Sequence, residues 1–370
     1  MSDGLNMSRR IRRTPYTDRV EQVGVRGYSV VNHMLLPKAY ARSVEADYWH
    51  LREAVQIWDV SCQRQVQITG PDAARLVQLM TPRDISGMIV GQCLYVPIID
   101  ENAGLINDPV LLKLEDDRFW LSIADSDLLL YAKGLAIGFG LDVYISEPDV
   151  SPLAIQGPRA EDLLAEIFGD HIRNIGFFKF GHVEFEGTQQ LVARSGYSRQ
   201  GGFEIYLNDN ALGGALWDVI WEAGQPFDIA PGCPNLIERI EGGLFSYGNE
   251  MTRDNNPFEI GLGKLCSFAP GLDYVGRAAL ERIKADGHVR EIRGLVFGDT
   301  PCATCATPWP VMVKDQQVGG VTSAIWSPRL NANVGLSMIA RDHWDIGTEL
   351  NVICADGQDM QGQIVSLPMG

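Results

Sequence analysis

At 370 residues, 45% hydrophobic and 21% charged, the chain has the composition of an ordinary soluble globular protein, long enough for two or three domains around a large core. A net charge of −16 leaves no basic face to displace counterions from phosphates, which argues against a nucleic-acid partner. No apolar run reaches bilayer-spanning length and the N-terminus lacks the apolar segment of a secretion signal, so no membrane partner and a cytoplasmic location are expected.

Seven cysteines, an odd number spread from Cys62 to Cys354, suit a reducing compartment better than a disulfide framework. The close pair Cys302 and Cys305 has no second pair of ligands at matching spacing, so the two read as loop cysteines and no metal is expected.

The chain opens on a short basic run, Arg9, Arg10, Arg12 and Arg13, too isolated to outweigh the acidic remainder. Asn32 and His33 interrupt the apolar run 28–37. They read either as turn residues completing backbone hydrogen bonds or as substrate contacts. Residues 46–55 have helical spacing, and a strand leaves them at Trp58. Residues 66–70 read as a strand and 71–80 as a helix opened by Pro71. A hairpin follows, with arms at 92–99 and 104–112. Its second arm contains Asn107-Asp108-Pro109, and because proline donates no ladder hydrogen bond this point is an edge or a bulge. Bulges re-aim side chains into clefts, which makes Asp108 a candidate working carboxylate; the alternative is that it only completes the kink.

Further strands are expected at 119–123, near 143 and at 151–157, and helices at 128–138 and 158–168. Residues 66–80 and 153–168 repeat the order strand, Gly-Pro, helix, suggesting two related α+β units. Residues 190–194 and 203–207 then form a central hairpin. Its second arm alternates strictly, so Phe203 and Ile205 face a core while Glu204 and Tyr206 face the other way, with Tyr197 returned over them by the turn. A carboxylate flanked by phenol rings suits a flat heterocycle with an amine beside a ring N–H, held bidentately. The alternative is a solvated face on which Glu204 does nothing.

A helix is expected from 234 to about 247, with Gly242-Gly243 in its middle at about 1 kcal/mol per glycine. Such glycines admit a close neighbour, so Arg239 on that face points into a crowded cleft or is a surface arginine with helical partners. No G-x-G-x-x-G follows a strand, which weighs against a dinucleotide site. Residues 283–290 read as a linker, and the short strands from 292 onward as a small β-barrel, with Trp326 at a strand end.

The segments Gly196-Tyr-Ser-Arg-Gln-Gly-Gly-Phe-Glu204, Arg239-Ile-Glu-Gly-Gly-Leu-Phe-Ser-Tyr-Gly-Asn249, Gly104-Leu-Ile-Asn-Asp108 and Ser327-Pro-Arg-Leu-Asn-Ala-Asn-Val334 together resemble the aminomethyltransferase (glycine cleavage T-protein) family, in the family's order and over nearly the whole chain. Within that superfamily the branch most similar is the dimethylsulfoniopropionate demethylases, on Val31-Asn-His-Met-Leu-Leu-Pro37, Gln92-Cys-Leu-Tyr-Val-Pro97 and Glu147-Pro-Asp-Val-Ser-Pro152 among other stretches. The resemblance implies an α+β fold in a three-domain clover arrangement. Two interleaved α+β domains (about 1–60 with 150–225, and 61–149 with 226–285) would precede a C-terminal barrel at 286–370.

It also implies tetrahydrofolate as methyl acceptor and a sulfonium zwitterion as donor, and leaves a homodimer open. Glu204 would hold the pterin's amino and N3 edge, with Tyr197 beside it. Arg239 would reach a polar edge or the glutamyl tail. Phe177 or Phe178 would stack on the ring, with Tyr95, Asn107 and Ser122 at further folate positions. Asp108 would lie near N5 as the catalytic group. The donor contacts expected from chemistry are the aromatic faces of Tyr206, Tyr197 or Trp326, which suit a cationic sulfur, with His33 and Asn32 as further candidates. One departure is Arg199-Gln200, where the T-protein pattern has acidic residues; it weighs against docking of a lipoyl carrier.

Overall fold

The computed structural model describes residues 8–369. The chain divides into two compact units. The first takes the segment ending at Val77 together with Ser86–Tyr95 and Pro109–Asn235, and the second takes Gln78–Ile85, Val96–Asp108 and the chain from Leu236 onward. The last boundary between these units falls at 235/236, and the barrel strands, which begin at Arg290, lie within the second unit.

In the first unit a six-stranded sheet runs in the order Phe180–Phe185, Thr188–Ala193, Gly202–Asn208, Val150–Gln156, Val55–Asp59, Ile229–Pro231. All its pairings are antiparallel except the last. Ile57, Leu153, Ile155, Val192, Phe203 and Ile205 bury one face against Leu163, Leu164, Leu216 and Trp217, from helices Ala160–Phe168 and Gly213–Ala223. A five-stranded antiparallel sheet has the order Tyr144–Ser146, Gln65–Thr69, Arg118–Ser122, Val110–Glu115, Cys93–Tyr95. From it Cys93, Leu112 and Trp120 pack on Val150, Leu191, Ala193 and Tyr206 of the larger sheet. Sheet thus covers sheet on the side that alternation assigned to Glu204 and Tyr206.

The second unit holds a closed six-stranded barrel, ordered Arg290–Phe297, Ala332–Ala340, Gln316–Ser327, Trp309–Val313, Glu349–Ile353, Asp359–Val365. Leu295, Val311, Val321, Ile339, Val352 and Ile364 fill it.

Three local expectations change. The hairpin expected at 92–112 is cut where Pro97 and Pro109 remove ladder donors. Cys93–Tyr95 pairs with Val110–Glu115 in the five-stranded sheet, while Ile98–Ile99 and Leu105–Asn107 form a separate ladder in the second unit. The helix expected to reach 247 spans only Leu236–Gly242. Gly243 takes φ +64°, and the bonds from Leu244 N to Arg239 O (2.8 Å) and from Gly243 N to Ile240 O (3.1 Å) close the end as a Schellman cap. The glycines end the helix instead of burdening its middle. The linker expected at 283–290 begins inside helix Arg277–Asp286, which stops at Gly287 with φ +75°.

Candidate active site

In the first unit the alternation of Gly202–Asn208 sends Phe203 and Ile205 to the helices, and Glu204 and Tyr206 to the opposite face. Glu204 lies opposite Ala154 on one neighbour and Ala193 on the other, and Ala154 in turn lies opposite Trp58. Paired residues share a face, so two alanines leave room beside the carboxylate and an indole bounds it. Tyr197 packs on Trp58, Leu51, Val60 and Ala154, on that same face.

Glu204 is 4% exposed, so the solvated reading fails. Its Oε2 accepts a 2.5 Å bond from Ser195 Oγ, and among the described residues neither a guanidinium nor an ammonium is paired with it. Burial raises its pKa, and the Ser195 hydroxyl works in the opposite direction. Beside it, burial and the Glu204 charge push the Cys93 thiol up to about 12. Tyr206 is 1% exposed, with its ring 6.1 Å from that of Trp120. Its polar neighbours are Glu204 and the Ser122 and Ser195 hydroxyls. Its ring therefore forms the floor under Glu204 and presents no open face to a donor.

The turn before Gly202–Asn208 is splinted by a residue that sequence reasoning missed. Gln156 Nε2 donates to Ser195 O at 3.1 Å, and Ser198 Oγ donates to Gln156 Oε1 at 2.8 Å. A Cβ on Gly196, at φ +148°, would lie 2.1 Å from the Gln156 amide, so only glycine admits this contact. Ser195 was also missed; its one signal was a hydroxyl adjoining that glycine.

Phe178 adopts φ +54°, unusual for a bulky residue. It is pinned by Phe178 N to Arg194 O at 3.0 Å and Cys93 N to Phe178 O at 2.8 Å. Its ring packs beside Cys93, Trp120 and Tyr206 and lies 4.9 Å from Phe177, which is 77% exposed. Such over-determined strain is concentrated at functional sites. Tyr95 shares a face with Cys93, and Ser122 with Trp120, by the two-residue period of their strands. Gln65 Nε2 donates to Ser122 Oγ at 3.1 Å.

Asn32 and His33 stand elsewhere, in the turn between Gly27–Val31 and Met34–Ala39, with φ of +51° and +62°. The Asn32 amide donates to Cys62 O (2.9 Å) and Ala124 O (3.1 Å), and its N–H to Asp125 (2.8 Å). This corrects the donor-contact reading of Asn32, whose donors complete a tight turn. His33 is an exposed residue of the same turn.

In the second unit Asp108 follows the short strand Leu105–Asn107 and its N–H donates to Asn107 Oδ1 at 3.0 Å. Asn107 is buried and Asp108 half-buried. Tyr247 Oη donates to Leu105 O at 2.9 Å, and burial together with the Asp108 charge pushes its phenol to about 12. Arg239 is 7% exposed and held by Glu250 (2.9 Å) and Ser323 (2.5 Å). Its guanidinium is part of a buried ion pair, neither a surface group nor an arm reaching a ligand. Trp326 is half-buried near the end of Gln316–Ser327, opposite Asn333.

Residues 16–269 match the model of the GCVT N-terminal domain, and 290–369 that of the glycine cleavage T-protein C-terminal barrel domain. The chain belongs to the glycine cleavage T-protein family. Within the family it is 51% identical, over 95% of each chain, to dimethylsulfoniopropionate demethylase DmdA of Ruegeria pomeroyi. It is 30% identical, over 98% of each, to an aminomethyltransferase of Symbiobacterium thermophilum. The crystal structure of the glycine cleavage system aminomethyltransferase T from Bartonella henselae superposes with a TM-score of 0.86 at 22% identity, covering 97% of this chain and 98% of that one. The expected T-protein fold, two α+β parts and a C-terminal barrel, is therefore the fold of this chain. Among the described residues no helix is long and apolar enough to cross a membrane.

Proposed function

We propose that this protein is a tetrahydrofolate-dependent demethylase that moves a methyl group from dimethylsulfoniopropionate to folate N5, giving 3-(methylthio)propionate, 5-methyltetrahydrofolate and a proton. The observation that carries the folate half is Glu204, a buried carboxylate with one hydroxyl partner and no cation among the described residues. An ionised carboxylate so placed is stabilised by a ligand offering two N–H donors side by side, and the pterin's amino and N3 edge offers that pair. The donor half is supported by the 51% identity to the Ruegeria enzyme.

Bound tetrahydrofolate supplies the nucleophilic nitrogen. Glu204 orients the ring by its amine edge, and Phe178, fixed in its strained conformation, offers a face for stacking. Tyr95 and Ser122 belong to the five-stranded sheet that covers the Glu204 side of the larger sheet, on the faces of Cys93 and Trp120, and Asn107 stands beside Asp108. A sulfonium carries its own leaving group, so alignment and exclusion of water do most of the catalysis, worth up to roughly 7–11 kcal/mol. Tyr197 and Trp326 supply aromatic faces for the cationic sulfur at about 0.5–2 kcal/mol each. Asp108 stabilises the positive charge developing on N5 and receives its proton. Both reactants are small water-soluble metabolites, which supports a cytoplasmic enzyme.

The test is incubation with tetrahydrofolate and, separately, dimethylsulfoniopropionate, methylamine, an aryl methyl ether and an aminomethyl-lipoyl carrier, following the folate product. Expected is 5-methyltetrahydrofolate from the sulfonium alone. Methylene-folate from the lipoyl carrier, or faster turnover with another donor, would overturn the reading. Asp108→Ala is expected to cut turnover by about 100-fold with little change in folate affinity, as for loss of a general base. Equal losses in both would make it a binding group only.

A further inference from the structure

We propose that Ser195 is a positioning residue of this site: its hydroxyl holds the Glu204 carboxylate by Oε2 and so presents Oε1 to the amine-bearing edge of the pterin. The inference rests on the folate reading above and deepens it.

The geometry is built from both sides. Ser195 Oγ donates to Glu204 Oε2 at 2.5 Å, the short charge-assisted bond of an O–H to an ionised oxygen. Both residues are buried. Ser195 is itself fixed, because its carbonyl accepts from Gln156 Nε2 at 3.1 Å and the following Gly196 seats its Cα against that amide. Among the described residues no hydrogen bond holds Oε1, and the terminal torsion of a glutamate is intrinsically soft, so without Ser195 the carboxylate is free to turn. The titratable groups facing Glu204 are the Cys93 thiol, from the covering sheet, and the Tyr206 phenol, from its own strand; burial keeps both neutral. Neither brings a charge that could replace the hydroxyl. Ser195 also opposes the burial that favours the protonated acid, so it keeps Glu204 a double acceptor.

The sign of the pH effect follows. Folate affinity requires the ionised carboxylate, so it is present above the Glu204 pKa and lost as pH falls through it. Removing the hydroxyl raises that pKa and moves the acid limb of binding upward.

The experiment measures tetrahydrofolate binding to the full chain by tryptophan fluorescence between pH 5 and 9, for wild type, Ser195→Ala, Ser195→Thr, Glu204→Gln and the Ser195→Ala/Glu204→Gln double variant. In Ser195→Ala, affinity at pH 7 is expected to fall about tenfold, with the acid limb shifted up by about one pH unit. Ser195→Thr, which keeps the hydroxyl, recovers the wild-type limb. In the Glu204→Gln background the serine change has less than a twofold effect, since it acts only through the carboxylate. Three results overturn the inference alone, provided that Glu204→Gln itself loses affinity: a pH-independent loss in Ser195→Ala, an equal loss in the double variant, or no loss. Wild-type affinity in Glu204→Gln overturns the folate reading, and this inference with it.

Discussion

Glu204 and Arg239 are both buried charges, one on the central strand of the first unit and one on a helix of the second, and they are satisfied in opposite ways. Arg239 meets a buried carboxylate, Glu250, and the Ser323 hydroxyl, so the protein supplies its whole counter-charge. Among the described residues Glu204 meets one hydroxyl and no cation. A charge matched from within contributes to holding the fold, whereas a charge left unmatched in a dry place marks where a ligand completes the set. Burial alone does not distinguish the two; the partner list does.

The comparison is broken most forcefully at the matched pair. Glu250→Gln leaves Arg239 buried without its counter-ion and is expected to cost about 3–5 kcal/mol of stability, read by denaturant unfolding. A loss under 1 kcal/mol would mean that the guanidinium is not held as described.

Asp59 sharpens the comparison, because among the described residues it too has no cation partner but is enclosed, with Thr14 Oγ1 at 2.5 Å and Ser61 Oγ at 2.8 Å. Burial raises its pKa from 3.8 to about 6. A raised folded pKa means the folded state holds the proton more tightly. Its contribution to stability is therefore complete below the unfolded value and is lost as pH rises from about 4 through 6. The loss is about 3 kcal/mol at 1.36 kcal/mol per unit. Asp59→Asn should gain on wild type by about that much across this window and hold a constant difference above it. A difference independent of pH would show that Asp59 does not titrate there.

At the unmatched site, Glu204→Gln is expected to lose about 2–3 kcal/mol of tetrahydrofolate affinity, roughly 100-fold, without loss of folding stability. That split is the reverse of the Glu250→Gln outcome. A drop in stability with unchanged affinity would make Glu204 a structural group like Arg239.

Much of this architecture was legible in local pattern, and the exceptions share a cause. The six barrel strands fall where short β runs between turns put them, and strict alternation at 203–207 already separated Phe203 and Ile205 from Glu204 and Tyr206. The end of the helix at Gly242 is not legible locally, because a glycine reads alike in a helix middle and at a left-handed cap until its φ is known. The surroundings of Asn32 are equally illegible, because nothing local reveals that Cys62, Ala124 and Asp125 come round to absorb its donors. The same holds for Tyr206, since the covering residues Cys93 and Trp120 come from strands about a hundred residues earlier.

The amino-acid sequence by itself determined the period of each element, the family, and which side of its strand the gripping carboxylate occupies; these depend on neighbours within a few residues or on motifs in fixed order. Only the tertiary structure decided that this side is roofed by a second sheet, that Ser195 and Gln156 brace the carboxylate, and that Arg239 already has its counter-ion. Burial and charge pairing are made by residues far apart along the chain, and no local period encodes which of them meet.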